Sequence, residues 1–293
     1  MPQQTTNYQT IIDNFMQYGK TCQDFKASII IGSRARAEEP ADEWSDLDIV
    51  LFTENHESYI ENTQWLENIG NFTITFVENT PIADSKERRV LFEDGLDVDF
   101  AIINAENIDR LINTPDVIDV LKKGYKVLFD KTKVFQDFKI PKVKLKRAKA
   151  IRLPSSKEFS EVVNDFWYHC VWSVKKILRG ELWTAKTCVD VYLKTLLLKV
   201  IEWQTALSDD PHTIWHDGRF FEKWSDQRVV KQMAKCFAHY ENDDIKRALK
   251  NTMDLFSSVT VDVCEGLHYN NPVEVEKEAR KWVNEHLFNK TEK

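Results

Sequence analysis

Residues 29–52 read IIIGSRARAEEPADEWSDLDIVLF. The first apolar run ends in Gly32-Ser33, twelve residues intervene, and Asp46-Leu47-Asp48 opens a second run, Ile49-Val50-Leu51-Phe52. Side chains alternate along a strand, so Asp46 and Asp48 share one face while Leu47 and Ile49 turn to the other. Two carboxylates about 7 Å apart on a strand repel each other, and a buried core does not tolerate them unpaired. A hard divalent cation such as magnesium removes the conflict. Gly32 lets the backbone come close to a phosphate, and Ser33 adds a hydroxyl and an amide donor. Residues 96–103, LDVDFAII, repeat the pattern: Asp99 stands between Val98 and Phe100, and Asp97 shares its face as a reserve candidate. Three carboxylates on neighbouring strands are what a two-metal phosphoryl or nucleotidyl transfer centre needs. A Gly-Ser alone is ordinarily a turn and an Asp-x-Asp alone is ordinarily solvated; the ordered combination carries the reading.

Gly32-Ser33, Asp46-x-Asp48 and Asp99 resemble the signature of the nucleotidyltransferases related to DNA polymerase beta. The narrower wording, GSRAR followed by WSDLDIVLF, resembles the aminoglycoside 6-adenylyltransferases, also called streptomycin adenylyltransferases. The likeness continues through RRVLFEDGLDVDF, GELWTAKTCVD, LLLKVIEW and IWHDGRFFEKW, from about residue 10 to about residue 285. It implies an α/β (α+β) nucleotidyltransferase domain followed by a helical domain. It also implies magnesium-dependent transfer of AMP from ATP to the 6-hydroxyl of streptomycin, with release of pyrophosphate and inactivation of the antibiotic. Asp46, Asp48 and Asp99 are then the metal ligands and catalytic acids, Asp99 binding an ion or taking the hydroxyl's proton. Gly32, Ser33, Arg34, Ser45 and Lys186 are the candidate nucleotide contacts.

Several of these residues have plain structural readings as well. Lys186, Asp190 and Lys194 lie at i, i+4 and i+8, a polar stripe that reads either as a salt-bridge ladder or as a phosphate contact. A lysine near a helix N-terminus is disfavoured by the macrodipole unless an anion is present, and the resemblance aligns Lys186 with a lysine expected on ATP phosphate. Of Arg34 and Arg36, one is expected on phosphate and the other in solvent. Ser45 either donates to phosphate or caps the turn before the strand. Glu161 and Asp165, one turn apart, are candidates for a guanidinium or ammonium group, though a solvated polar face is the better explanation of the two. Trp44, Trp167 and Trp183 could stack on adenine or sugar, but aromatic residues at helical spacing are more often core.

Other chemistries find little support. The eight glycines form neither G-x-G-x-x-G nor G-x-x-x-x-G-K-[ST], so dinucleotide-fold and P-loop readings fail. No G-x-S-x-G elbow is present. His212 and His216 beside Asp217 are spaced for zinc, but Pro211 and Asp217-Gly218 read as a loop.

The elements that must position the acids follow from periodicity. A leading helix is expected over 8–26, strands over 28–32 and 47–52, a helix over 55–69, strands over 72–77, 88–92 and 97–103, and a helix over 105–121, making an α/β domain around a mixed sheet. A basic segment without acids, 139–152, is followed by Pro154-Ser155-Ser156 and reads as a linker ending in a helix N-cap. Residues 1–137 are thus expected to form the catalytic domain, 138–157 a linker and 158–293 an all-α helical bundle that binds substrate. Within that bundle, helices are expected over 158–178, 182–204, 219–239, 243–265 and 272–288, the first stopped by Gly180.

The chain has 293 residues, 42% of them hydrophobic, enough for a sizeable core in two domains. It contains no run of about eighteen apolar residues and no signal-like leader, and five scattered cysteines without C-x-x-C suit reduced thiols in a cytoplasm. Residues 1–137 carry 25 acids against 13 bases, a net of −12, and the remainder 22 against 27, a net of +5. An acidic catalytic half suits metal and a cationic small molecule and suits nucleic acid poorly, since backbone affinity comes from Lys and Arg; no membrane partner is expected. The same chemistry on another acceptor is the nearest alternative. A catalytically silent nucleotide-binding module is the more distant one, and retention of all three acids argues against it.

Overall fold

The computed structural model describes residues 7–36, 40–80, 85–138, 151–208 and 214–287. The chain forms two compact units, Met1–Leu145 and Lys146–Lys293. Most of the expected linker, residues 139–150, lies outside the described residues.

The first unit runs α1 (Tyr8–Thr21), β1 (Phe25–Ile31), β2 (Leu47–Thr53), α2 (His56–Glu61), β3 (Phe72–Asn79), β4 (Lys86–Phe92), β5 (Asp97–Asn104), α3 (Ile108–Leu111), α4 (Pro115–Lys123), β6 (Lys126–Asp130) and α5 (Val134–Asp137). The strands make one sheet in the order β3-β4-β5-β2-β1-β6. β2 and β5 run parallel and every other pair is antiparallel, so the sheet is mixed, as the pattern predicts. Strand alternation builds two cores. Leu47, Ile49, Leu51, Val98, Phe100 and Ile102 pack with Ile11 and Phe15 of α1 on one face. Val50, Phe52, Ala101 and Ile103 pack with Ile108, Leu111, Leu121 and Phe135 on the other. Apolar residues buried on both faces explain why β2 and β5 read as near-continuous hydrophobic runs.

The differences from the sequence expectations have local causes. The expected helix over 105–121 is split at Pro115, because the residue before a proline avoids helical backbone: Thr114 is extended (φ −78°, ψ 143°) and Pro115 starts α4. The helix expected over 55–69 ends at Glu61, where Asn62 turns extended, and a 3-10 turn follows over Gln64–Asn68. β6 is a further strand, too short and too exposed to announce itself by period.

The second unit is helical: α6 (Ser156–Leu178), α7 (Leu182–Thr187), α8 (Leu193–Ala206), α9 (Phe221–Trp224), α10 (Gln227–Met233), α11 (Asn242–Leu267) and α12 (Val273–Leu287). Ser155 caps α6 in a full capping box with Glu158, and Gly180 follows its end in the left-handed region at φ 76°. A π turn, Cys188–Tyr192, joins α7 to α8. The helix expected over 219–239 is broken: Ser225 is extended and the Asp226 side chain recaps the chain by accepting from Arg228 N. Phe159, Phe166, Trp167, Val200, Phe256 and Val263 lie in one core. No helix among the described residues is long and apolar enough to cross a membrane. All five cysteines are unpaired, four of them buried.

Candidate active site

The parallel β2–β5 pair sets Asp48 directly beside Asp99 in register. Asp46 precedes β2 by one residue and falls on the same face by alternation. Each of the three carboxylates brings an oxygen within 4.8 Å of the others. They lie at the N-terminal ends of both strands, on the face where Val50, Phe52, Ala101 and Ile103 are buried farther along.

Gly32 fits this arrangement for two reasons. It takes φ +70°, and a Cβ placed there would sit 2.0 Å from Asp48 Oδ2, so any side chain would collide with the triad. It opens the 3-10 turn Gly32–Arg34 at the end of β1. In that turn Ser33 Oγ is buried without a hydrogen-bond partner among the described residues. A buried hydroxyl is rarely left so, and its position beside the acids suits an incoming polar ligand.

Electrostatics mark the same place. Burial, then the charges of Asp46, Asp99 and Glu87, push the Asp48 carboxyl up to about 7. Burial also pushes Asp99 up to about 6, against the opposing pull of Arg89. Such like-charge crowding is relieved by a divalent cation held through hard oxygen ligands, and the donor set fits one.

Arg34, Ser45 and Asp97 have partners of their own within the first unit. The Arg34 guanidinium donates from Nε to the Asp46 carbonyl at 2.9 Å and from Nη2 to the Ser45 carbonyl, and it stacks 3.6 Å over the Tyr8 ring. It braces the loop that delivers Asp46. The Ser45 hydroxyl donates to Asp42 Oδ1 at 2.7 Å and accepts from Asp42 N at 3.0 Å, so it closes a turn. Asp97 lies outside the triad and accepts from Tyr8 OH at 3.1 Å. Trp44 is exposed, Trp167 is core and Trp183 is exposed.

In the helical unit Lys186 is ion-paired with Asp190 and donates to the Ala238 carbonyl at 2.6 Å. The π turn breaks the expected i, i+4, i+8 stripe. Lys194 is turned inward to the Val189 carbonyl at 2.9 Å and Thr252 Oγ1 at 2.8 Å, and burial lowers its ammonium to about 8. Asp165 accepts from Tyr192 OH at 2.9 Å and pairs with His169 Nδ1 at 2.6 Å. Glu161 is exposed beside Lys157 at 3.8 Å. His212 and the side chain of His216 lie outside the described residues.

Sequence reasoning missed Gly124, Glu87 and Arg89. A Cβ on Gly124 would meet the Ala35 carbonyl at 2.6 Å and Arg36 Cα at 2.7 Å, so this glycine seats the chain that follows Gly32-Ser33. Glu87 and Arg89 lie on β4, and the alternation of KERRVLF is the signal that sets both on one face.

Known proteins extend the comparison. An aminoglycoside 6-adenylyltransferase of Bacillus subtilis (strain 168) is 25% identical over 272 residues, 90% of this chain and 92% of that protein. One of Campylobacter jejuni is 21% identical over 274 residues, 91% of each. The crystal structure of an aminoglycoside 6-adenyltransferase from Bacillus subtilis superposes with a TM-score of 0.44 at 20% identity, over 96% of this chain and 98% of that one; so loose a superposition adds nothing to the sequence match. The model of the streptomycin adenylyltransferase family matches residues 5–286. With that match over nearly its whole length, the chain belongs to the streptomycin adenylyltransferase family.

Proposed function

We propose that the protein transfers AMP from ATP to a hydroxyl of streptomycin, at its 6-position, releasing pyrophosphate and inactivating the antibiotic in the cytoplasm. The observation that carries this reading is the Asp46–Asp48–Asp99 triad, with ligand oxygens within 4.8 Å of one another and beside Gly32-Ser33. The shared name of the relatives, aminoglycoside 6-adenylyltransferase, supports the acceptor class.

Asp46 and Asp48 would hold magnesium, with Asp99 as the third ligand. Magnesium bound there supplies positive charge to the triphosphate and lowers the pKa of the attacking hydroxyl. The hydroxyl oxygen forms a bond to the α-phosphorus, the bond from that phosphorus to the β-bridging oxygen breaks, and pyrophosphate leaves. Asp99, set beside Asp48 by the strand register, would also take the hydroxyl's proton. Ser33 Oγ, buried and unpartnered among the described residues, donates to a phosphate oxygen, and the backbone at Gly32 closes on the same group. Arg34 acts through the carbonyls of Ser45 and Asp46 and keeps Asp46 on station.

Lys186 is the proposed phosphate contact of the helical unit. An ammonium has three donors; among the described residues Asp190 and Ala238 take two, which leaves one for an anion. Asp165, its carboxylate held by Tyr192 and His169, is the stronger candidate for a guanidinium of the acceptor, with Glu161 beside it. The acidic first half, at a net of −12, favours a polycation over nucleic acid.

The test is pyrophosphate release from ATP and magnesium with and without streptomycin, followed by the mass of the product. Streptomycin-dependent release with one AMP added supports the reading. Release only with a different aminoglycoside moves the acceptor. No release with any of them, alongside ordinary ATP binding, favours the silent module.

A further inference from the structure

Arg88 and Arg89 are neighbours on β4 that leave the sheet on opposite faces. Arg88 is buried, and its guanidinium donates to Thr75 Oγ1 at 3.1 Å and to the carbonyls of Tyr59 and Ile60 at the end of α2. Its role is complete within the fold. Arg89 has a different setting. It stands opposite Asp99 in the β4–β5 pairing, and its guanidinium reaches three carboxylates: Glu78 at 2.6 Å, Glu87 at 2.9 Å and Asp99 Oδ2 at 3.4 Å. Glu78 and Glu87 face each other across the β3–β4 pair, where like charges are destabilising. A single guanidinium therefore bridges a row of three acids that ends in a member of the triad, and offsets only part of their charge.

We infer that Arg89 is a positioning residue of the metal centre: a fixed counter-cation that competes with a divalent ion for Asp99 and so limits how tightly the triad binds metal. The inference rests on the metal reading of the triad. Glu78 and Glu87 hold the guanidinium at 2.6 and 2.9 Å, closer than its 3.4 Å to Asp99. Asp99 stands at the longer 3.4 Å separation while an oxygen of it lies within 4.8 Å of those of Asp46 and Asp48, so the same carboxylate serves both cations. A unit positive charge this close to one ligand lowers the attraction the site offers to a divalent ion. A metal held less tightly exchanges more readily between turnovers.

The experiment is a titration with Mn2+ alone at pH 8, following free ion by electron paramagnetic resonance, on the full chain and four variants. Arg89→Met is expected to bind Mn2+ about tenfold more tightly, and Arg89→Lys, which keeps the charge, to return most of the way to the parent affinity. Glu78→Gln lies on an exposed side chain and keeps the fold. Releasing Arg89 toward Asp99, it is expected to weaken Mn2+ binding by about two- to threefold. A folded Arg89→Met with equal or weaker affinity overturns the inference, as does a Glu78→Gln protein of unchanged affinity if Arg89→Met does not fold. Asp48→Asn separates the two claims: Mn2+ binding that survives in it places the ion elsewhere and overturns the metal reading together with this one. Loss of binding in Asp48→Asn with no effect at Arg89 overturns this one alone.

Discussion

The two units treat charge in opposite ways. In the helical unit, the Lys186 ammonium has Asp190 and the Ala238 carbonyl. Asp190 in turn accepts from Ala238 N, and Lys194 is satisfied by Val189 and Thr252. In the sheet unit, Asp46, Asp48 and Asp99 crowd together with Arg89 as a nearby cation shared by three acids. The first arrangement is a structural tie in which one Lys186 donor alone is left over among the described residues. The second is stable only by keeping carboxyls partly protonated or by accepting outside charge, and unresolved electrostatic conflict of this kind is what a chemical site retains.

The largest effect expected from breaking the contrast is at Asp48. Asp48→Asn removes a ligand charge and should lower AMP transfer by on the order of a thousandfold, the several kcal/mol that a catalytic ion supplies. It should leave the melting temperature equal or higher, because it also removes repulsion. Turnover near the parent rate would end the metal assignment. Gly32→Ala comes next: the left-handed backbone alone costs about 1–2 kcal/mol, and displacing Asp48 should lower activity by about a hundredfold, readable from kcat and a denaturant midpoint together.

A partnered charge should respond in the opposite sense. Asp190→Asn is expected to cost about 1–2 kcal/mol of stability while the folded fraction keeps most of its kcat. Lys186→Ala should raise KM for ATP more than KM for the aminoglycoside. The reverse ranking would take Lys186 off the nucleotide.

The smallest effect is a slope with pH. The Asp48 carboxyl moves from its ordinary 3.8 to about 7 in the fold, and Asp99 from 3.8 to about 6. The folded chain therefore holds more protons than the unfolded chain between about pH 4 and 7, so stability falls as pH rises through that window. Thermal melts in EDTA from pH 5 to 8 should decline, and Asp48→Asn should flatten the decline.

What could be read in advance follows the range of the interactions. The triad is legible because hydrophobic-acid alternation is local: Asp46-x-Asp48 and Asp99 need only the strand period to share a face. Gly32 is legible as a close approach, although its collision with Asp48 requires the fold. Arg34 and Ser45 are legible as neighbours of Asp46, and the turn-capping alternative for Ser45 is open as well, but the partners themselves, the Tyr8 ring and Asp42, come only from the fold. Arg89 and Glu87 were out of reach, because their partners come from the β3–β4–β5 register, which no single segment encodes. Helix ends at Pro115 and Ser225, and the π turn after Thr187, moved boundaries and side-chain phase without changing the class of either unit.

The most direct test of the account is thermal unfolding of the full chain and of Asp48→Asn at pH 8, each in EDTA and in excess Mg2+. Mg2+ should raise the Tm of the parent chain by several degrees, since binding to the folded state alone stabilises it, and leave Asp48→Asn almost unmoved. An equal rise in both proteins, or none in the parent, would contradict the claim that the conflict among Asp46, Asp48 and Asp99 exists to be resolved by a metal ion.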